Sequence, residues 1–264
     1  MTTNNNVWTT GEFGRIAPGA IVVSELLCDA VPLYAGQRVL DIGCGTGNTA
    51  FAAARRRTQV WAVDPVPALL DRARERAAFE GLDIVIDQGS AEALPYTNAP
   101  FDVALSTFGL VFSEDREKAI AEAARVLRPG GKLGFTSWAE GSLTDLVFAK
   151  CIERRPDLVS VAVQRGWGRL SQIPAWLRPH FGSLRIQHRK LTVRAASVEQ
   201  WLSGKKKFLA PVVLAYESLD EAASAALDRE LLDLGHSHNE APEHGFFSRV
   251  AYLEVHCERL VAAV

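Results

Sequence analysis

Residues 38–47, Arg38-Val39-Leu40-Asp41-Ile42-Gly43-Cys44-Gly45-Thr46-Gly47, read as a short buried strand that runs straight into a turn of closely spaced glycines. Such a turn lets the backbone approach a ligand, and the helix that opens after it, alanine-rich from Ala50 to Arg57, offers a positive N-terminal end. Gln59-Val60-Trp61-Ala62-Val63 forms a second strand, stopped by Asp64-Pro65, and Pro67 to Glu80 a second helix. Asp64 follows Gly43 by 21 residues, the place and spacing at which an acid reaches ribose hydroxyls in Rossmann-like sites.

Working outward, the same alternation continues. Asp83 to Asp87 and Phe101 to Ser106 are strands. Glu114 to Leu127 is a helix stopped by Arg128-Pro129-Gly130-Gly131, and Lys132 to Trp138 is a fifth strand. Upstream, Arg15 to Leu33 has helical apolar spacing. Strands separated by helices of this length mean a parallel sheet with right-handed crossovers. After about residue 140 the pattern loosens. Leu143 to Arg154 is helical, and 156–179 holds three prolines and two glycines around Trp167 and Trp176. Ser183 to Val193 is strand-like, and Val198 to Leu234 is helical with a break near Pro211. The tail from Tyr252 to Glu258 alternates as a half-buried strand does. The reading is one domain over 1–264, with helical insertions in its second half.

Composition narrows the function. The 264 residues are 48% hydrophobic and carry 29 basic against 31 acidic side chains, net −2. That balance argues against non-specific binding of nucleic acid or anionic membranes, and the apolar content is that of a globular chain. No apolar run approaches the ~18 residues of a membrane span. The start, MTTNNNVWTTGEFG, has neither the basic nor the apolar stretch of a signal peptide. The four cysteines (Cys28, Cys44, Cys151, Cys257) are far apart without a C-x-x-C pair. The expectation is reduced thiols in a cytoplasmic protein.

The glycine spacing selects the nucleoside. A dinucleotide fingerprint needs glycine three residues after Gly45, and that residue is Asn48. Asp41, two residues before Gly43, would repel a pyrophosphate but suits a cationic amino group. S-adenosylmethionine (SAM) has that amino group, a carboxylate for the helix end, a ribose for Asp64 and no phosphate. The chemistry favours SAM over NAD.

VLDIGCGTG at 39–47 resembles motif I of the class I SAM-dependent methyltransferases, and AVDPVPALLDRAR at 62–74 the acidic loop that follows it. GSAEALPYTNAPFDVALSTFGLVF at 89–112 and AEAARVLRPGGKLGFTSW at 121–138 are similar to later motifs of small-molecule methyltransferases of the ubiquinone/menaquinone-biosynthesis type. The resemblance covers about residues 7–138, which it marks as a SAM-binding core, leaving 139–264 as acceptor-side helices and last strands. It implies a Rossmann-like, doubly wound, mostly parallel seven-stranded α/β sheet. By the same resemblance Asp41, Gly43, Cys44, Gly45 and Gly47 cradle the methionine moiety, Asp64 holds the ribose diol, and Pro65 and Val66 pack on adenine. Ser90 stands where an acid is common, so the adenine amino group is met by its hydroxyl or by backbone at Ala91. Ser106 faces the methionine end, with Phe108 near the transferred methyl.

Trp8 and Phe13 precede the first helix, where related enzymes fold a segment over the cofactor; they are candidates for a lid and for substrate contact. Arg15 either pairs with the cofactor carboxylate or is solvated. Among the histidines, His238 is the candidate acceptor-side base. The His236–His244 cluster has metal-ligand residue types, but its irregular spacing matches no zinc pattern, and no metal is expected. Arg55–Arg57 and Lys205–Lys207 read as exposed helix ends. Trp167, Trp176, Trp201, Phe208, Phe246 and Phe247 fit either a core or the wall around a hydrophobic or aromatic small-molecule acceptor. The expected reaction is in-line methyl transfer, which alignment alone can accelerate without a general base. Rival readings are a SAM-binding protein that catalyses cyclisation or rearrangement, and a ligand-binding protein without catalysis.

Overall fold

The structure, a computed structural model, describes residues 7–261. Five parallel strands form its first half: β1 (Arg38–Ile42), β2 (Gln59–Asp64), β3 (Ile84–Gln88), β4 (Phe101–Thr107) and β5 (Leu127–Trp138). Two long strands, β6 (Phe181–Ala195) and β7 (Phe246–Arg259), complete one seven-stranded sheet in the order β3-β2-β1-β4-β5-β7-β6. β7 runs antiparallel to both β5 and β6, so it alone points against the rest. β1 starts the sheet's centre, and the order reverses between β1 and β4. In open α/β sheets ligands bind in the crevice at that switch point.

The helices follow the chain. The stretch read as one helix from Arg15 to Leu33 is divided into α1 (Phe13–Ile16), a 3-10 turn at Ala17–Ala20 and α2 (Ile21–Ala30). Pro18 and Gly19 account for the break: proline removes an amide and glycine loosens the backbone. α3 (Asn48–Arg55) and α4 (Pro67–Glu80) follow β1 and β2. α4 starts with proline in its first turn and ends on Gly81 in the left-handed conformation. α5 (Arg116–Val126) is capped by the Asp115 carboxylate, which accepts the Lys118 amide at 3.0 Å.

The second half is more regular than its sequence suggests. α6 (Leu143–Arg154) is capped by Ser142, and 156–179 holds α7 (Val159–Trp167) and α8 (Ile173–Leu177). The helical run after β6 is three helices, α9 (Val198–Phe208), α10 (Ala210–Glu217) and α11 (Glu221–Ser237), with the first break at Leu209 just ahead of Pro211. Trp167 is fully buried against Phe135 and Trp176, and Phe246 is buried on Trp201. Three of the six aromatics considered for an acceptor wall are therefore packing for the sheet and its covering helices. The four cysteines are buried and free.

Among the described residues no helix is long and apolar enough to cross a membrane. Nor is any group of three or more His, Cys, Asp or Glu among them placed to hold a metal ion.

Candidate active site

A continuous cavity of about 950 Å³ opens beyond the carboxyl ends of β1, β2 and β4 and extends under α9. Its first end is the glycine turn. Gly43, Gly45 and Gly47 all have positive φ (67°, 54° and 91°), a region that costs other residues energy. The turn is tied to β2 by the Gly43 and Cys44 amides, which donate to the Val63 carbonyl at 2.8 and 3.0 Å. A Cβ on Gly43 would lie 2.7 Å from Gly109 Cα, so this close crossing of two backbones needs glycine. Gly43, Cys44 and Gly45 line the cavity; Gly47 lies behind them, where a Cβ would strike the Phe51 ring at 2.7 Å.

Asp41 sits beneath the turn rather than on the cavity wall. It is 1% exposed, and its Oδ2 accepts the Ala50 amide at 2.9 Å, capping the first turn of α3 from the strand behind. Its Oδ1 is buried without a hydrogen-bond partner. Burial, aided by nearby Asp64, raises the carboxyl to about 8 against the pull of the Ala50 amide. The expected direct contact with a ligand amino group is thus replaced by a buried position from which Asp41 holds the turn and the helix end.

Asp64 does line the cavity, at the end of β2, and is 6% exposed. One oxygen accepts the Gly45 amide and the other the Val66 amide, both at 2.9 Å. Burial lifts the carboxyl to about 6, opposed by these two bonds. A carboxylate has about four lone-pair sites, so two remain for a diol. Pro65 lines the cavity beside it; Val66 is buried away from it, and Leu69, one turn further on, takes that place on the wall. Ser90 and Ala91 line the opposite side with Glu92. The Ser90 hydroxyl accepts the Glu92 amide at 3.2 Å, a turn role that leaves its proton to donate elsewhere.

Ser106 is fully buried and off the cavity. Its hydroxyl donates to the Ile42 carbonyl at 2.6 Å and accepts the Leu110 amide at 2.7 Å, so it fastens the end of β1 to the turn after β4. Its neighbour Thr107 reaches the wall instead, in a cluster the sequence did not announce. Thr107 Oγ1 is 2.8 Å from Thr49 Oγ1, and Ser24 Oγ lies 3.1 Å from Thr49 Oγ1. All three hydroxyls line the cavity, contributed by β4, α3 and α2.

The roof comes from both ends of the chain. Trp8 packs edge-on against Phe13 and Phe112, with ring centroids 5.3 and 4.8 Å apart. Phe13 Cε1 lies 3.3 Å from the position a Cβ on Gly45 would take. Arg15 is exposed at the rim and pairs with Glu12 at 3.2 Å. With Phe108, the apolar side chains Trp138, Phe148, Leu191, Trp201 and Phe208 bound the other end of the cavity, a chamber whose wall also carries Thr192, Arg194 and Gln200. Of the aromatics proposed for that wall, Trp201 and Phe208 belong to it.

The histidines do not. His238 closes the C-terminal end of α11, where its Nδ1 lies 2.9 Å from the Leu234 carbonyl, and none of the six histidines lines the cavity. The candidate base is thus corrected to a helix-end residue. Lys205, expected at an exposed helix end, instead lines the chamber.

A methyltransferase domain model matches residues 39–131. An uncharacterized protein of Mycobacterium tuberculosis is 32% identical over 238 residues, covering 88% of this chain and 87% of that protein. The demethylmenaquinone methyltransferase of Deinococcus radiodurans is 41% identical over 102 residues, 38% of this chain and 42% of that protein. Among solved structures, the YcgJ protein of Bacillus subtilis superposes with a TM-score of 0.65 at 20% identity, covering 91% of this chain and all of that one. The chain belongs to the class I SAM-dependent methyltransferases, and its cofactor is S-adenosylmethionine. Within that class it stands with the uncharacterized mycobacterial protein, to which it is similar along nearly its whole length.

The residues present fit that cofactor. The glycine turn leaves room at the backbone that a Cβ would fill, Asp64 keeps acceptor capacity at its edge, and two buried acids lie at this end. The cations that line the cavity are Arg15, Arg194 and Lys205, and none belongs to the glycine turn, where a pyrophosphate would call for positive charge.

Proposed function

We propose that this protein transfers the methyl group of S-adenosylmethionine to a small, largely apolar acceptor held in the chamber under α9. The observation that carries the reading is the single cavity that joins the glycine turn and Asp64 at one end to aromatic and aliphatic walls at the other. A roofed cavity of this size suits a cofactor with a compact acceptor rather than a polymer. A likeness over 102 residues to an enzyme named demethylmenaquinone methyltransferase supports a small-molecule acceptor.

When bound, the cofactor supplies an electrophilic methyl on a sulfonium. Gly43, Cys44 and Gly45 would present backbone to its methionine portion, the Ser24–Thr49–Thr107 hydroxyls would offer donors to a carboxylate, and Asp64 would accept from the ribose diol. Pro65, Leu69 and Ala91 would flank the base. Trp8 and Phe13 lie over the turn and, with the cofactor bound, would limit the access of water to the polar contacts beneath them. Phe108 and Trp138 form the wall against which the acceptor is aligned. With no histidine on the wall, alignment carries most of the rate, and oriented reactions of this kind gain about 7–11 kcal/mol in favourable cases.

The test is incubation with methyl-labelled SAM and a panel of small aromatic and alicyclic acceptors. Label in an extracted product supports the reading. SAM binding with no transfer to any member would favour the cyclising or non-catalytic alternatives.

A further inference from the structure

α9 carries three consecutive lysines, and the fold treats them differently. Lys206 pairs with Asp228 on α11 at 2.8 Å and lies 4.4 Å from the Tyr216 ring. Lys207 is exposed, its Nζ 5.2 Å from the Phe208 ring. Lys205 is half-buried and lines the chamber; among the described residues its ammonium has neither a carboxylate within 4 Å nor a hydrogen-bond acceptor. Burial alone lowers it to about 8, with no charged neighbour contributing.

A half-buried ammonium that faces apolar walls without a counter-ion gives up part of its hydration, a cost that a bound anion offsets. Three acidic side chains line the same cavity, and each is placed elsewhere. Asp64 accepts the Gly45 and Val66 amides, Glu92 accepts the Asp115 amide at 3.1 Å, and Glu114 is exposed. Among the described residues none supplies a counter-ion for Lys205, which leaves its charge for an anionic group of a bound molecule. Trp201, Phe208 and Leu209 line the same cavity at i−4, i+3 and i+4 from Lys205, and nothing lies within 4 Å of where a Cβ on neighbouring Gly204 would project. Of the other cations on the cavity wall, Arg15 pairs with Glu12 and exposed Arg194 lies over the Phe247 ring, so open space, apolar walls and the Lys205 ammonium define a complementary molecule.

We propose that Lys205 determines acceptor specificity by pairing with an oxyanion of the acceptor, which is accordingly a small aromatic or alicyclic acid with an otherwise apolar body. This rests on the reading of the chamber as the acceptor site. It concerns recognition only: the ammonium stays protonated, and no bond to it forms or breaks.

The experiment is titration calorimetry on the full chain, first with S-adenosylhomocysteine and then, on the saturated protein, with 2-naphthoate and its uncharged amide, 2-naphthamide. The expected result is that 2-naphthoate binds at least ~10-fold more tightly than the amide, the scale of one charge-assisted contact. Lys205→Met should abolish that preference while keeping S-adenosylhomocysteine binding, which also shows that the variant folds. Lys205→Arg should restore much of it, and Lys207→Met should leave it unchanged. Gly204→Leu, which fills the space beside the ammonium, should weaken both probes alike. Equal affinity for the two probes, failure of both to bind, or a preference that survives Lys205→Met overturns the proposal. Should S-adenosylhomocysteine itself not bind the parent protein, the cofactor-and-acceptor reading of the cavity fails instead, and the two failures are told apart by that first titration.

Discussion

Phe108 lies flat on Trp138, ring centroids 4.0 Å apart and planes 7° from parallel, and it does so from a backbone position with φ at +55°. An aromatic residue in the left-handed region is strained by about 1–3 kcal/mol. The stack, worth about 0.5–1.5 kcal/mol, and the Phe108 amide bonded to Thr136 Oγ1 at 3.1 Å hold it there. Phe108→Ala should fold with a loss of about 1–3 kcal/mol and reduce methyl transfer much more than S-adenosylhomocysteine affinity. Phe108→Gly should recover part of the stability and none of the turnover. Thermal denaturation and a labelled-methyl assay check both; full turnover in Phe108→Ala would remove the ring from the acceptor wall.

Gly43 and Gly109 approach each other through backbone, so neither has a flexible neighbour to yield. Gly43→Ala should cost about 1–3 kcal/mol through its positive φ, before any clash is counted. It should also displace the turn enough to abolish S-adenosylhomocysteine binding. A variant that binds normally would show that the turn is not the cofactor cradle.

Asp41 gives the pH dependence. Burial holds its carboxyl up to about 8, above the ordinary 3.8, so the folded protein keeps a proton that the unfolded chain releases. The stability tied to that proton is fully present below about pH 4 and is lost as pH rises through about 8. Asp64, raised to about 6, acts in the same direction over a lower window. Asp41→Asn keeps an acceptor for the Ala50 amide without the buried charge. In the ligand-free protein its stability relative to the parent should therefore climb between pH 4 and pH 8, read from denaturant midpoints. A constant difference across that range would mean that Asp41 is not protonated in the fold.

The first half of this chain was legible because its information is local. The β1 pattern, the glycine turn and the 21-residue step to Asp64 lie in one continuous stretch, and the spacing dictates where the acid emerges. What the sequence hid depends on elements distant in the chain. Ser24, Thr49 and Thr107 meet only because α2, α3 and β4 converge. Lys205 looks like its two neighbours until helical rotation turns it to the cavity, Lys206 onto α11 and Lys207 to the outside. Asp41 reads as a ligand residue because its motif is ligand-binding, yet the helix that follows needs a cap and takes its carboxyl oxygen. His238 looked available only while its own helix end was unseen.

Trp8 touches both Phe13 and Phe112, bridging the amino-terminal segment to the turn after β4. Trp8→Ala should weaken S-adenosylhomocysteine by about 1 kcal/mol, chiefly through faster dissociation, because the roof opens more easily. Stopped-flow dissociation measures it directly. An unchanged rate would mean that the segment is not a lid.

The central claim is that the glycine turn and Asp64 hold S-adenosylmethionine. Calorimetric titration of the purified protein with S-adenosylmethionine and S-adenosylhomocysteine, repeated on Asp64→Ala, tests it most directly. Both ligands should bind the parent with one site per chain, and affinity should fall at least ~10-fold in the variant, which loses a charge-assisted contact to the ribose. No binding of either ligand to the parent, or equal binding to parent and variant, would contradict it.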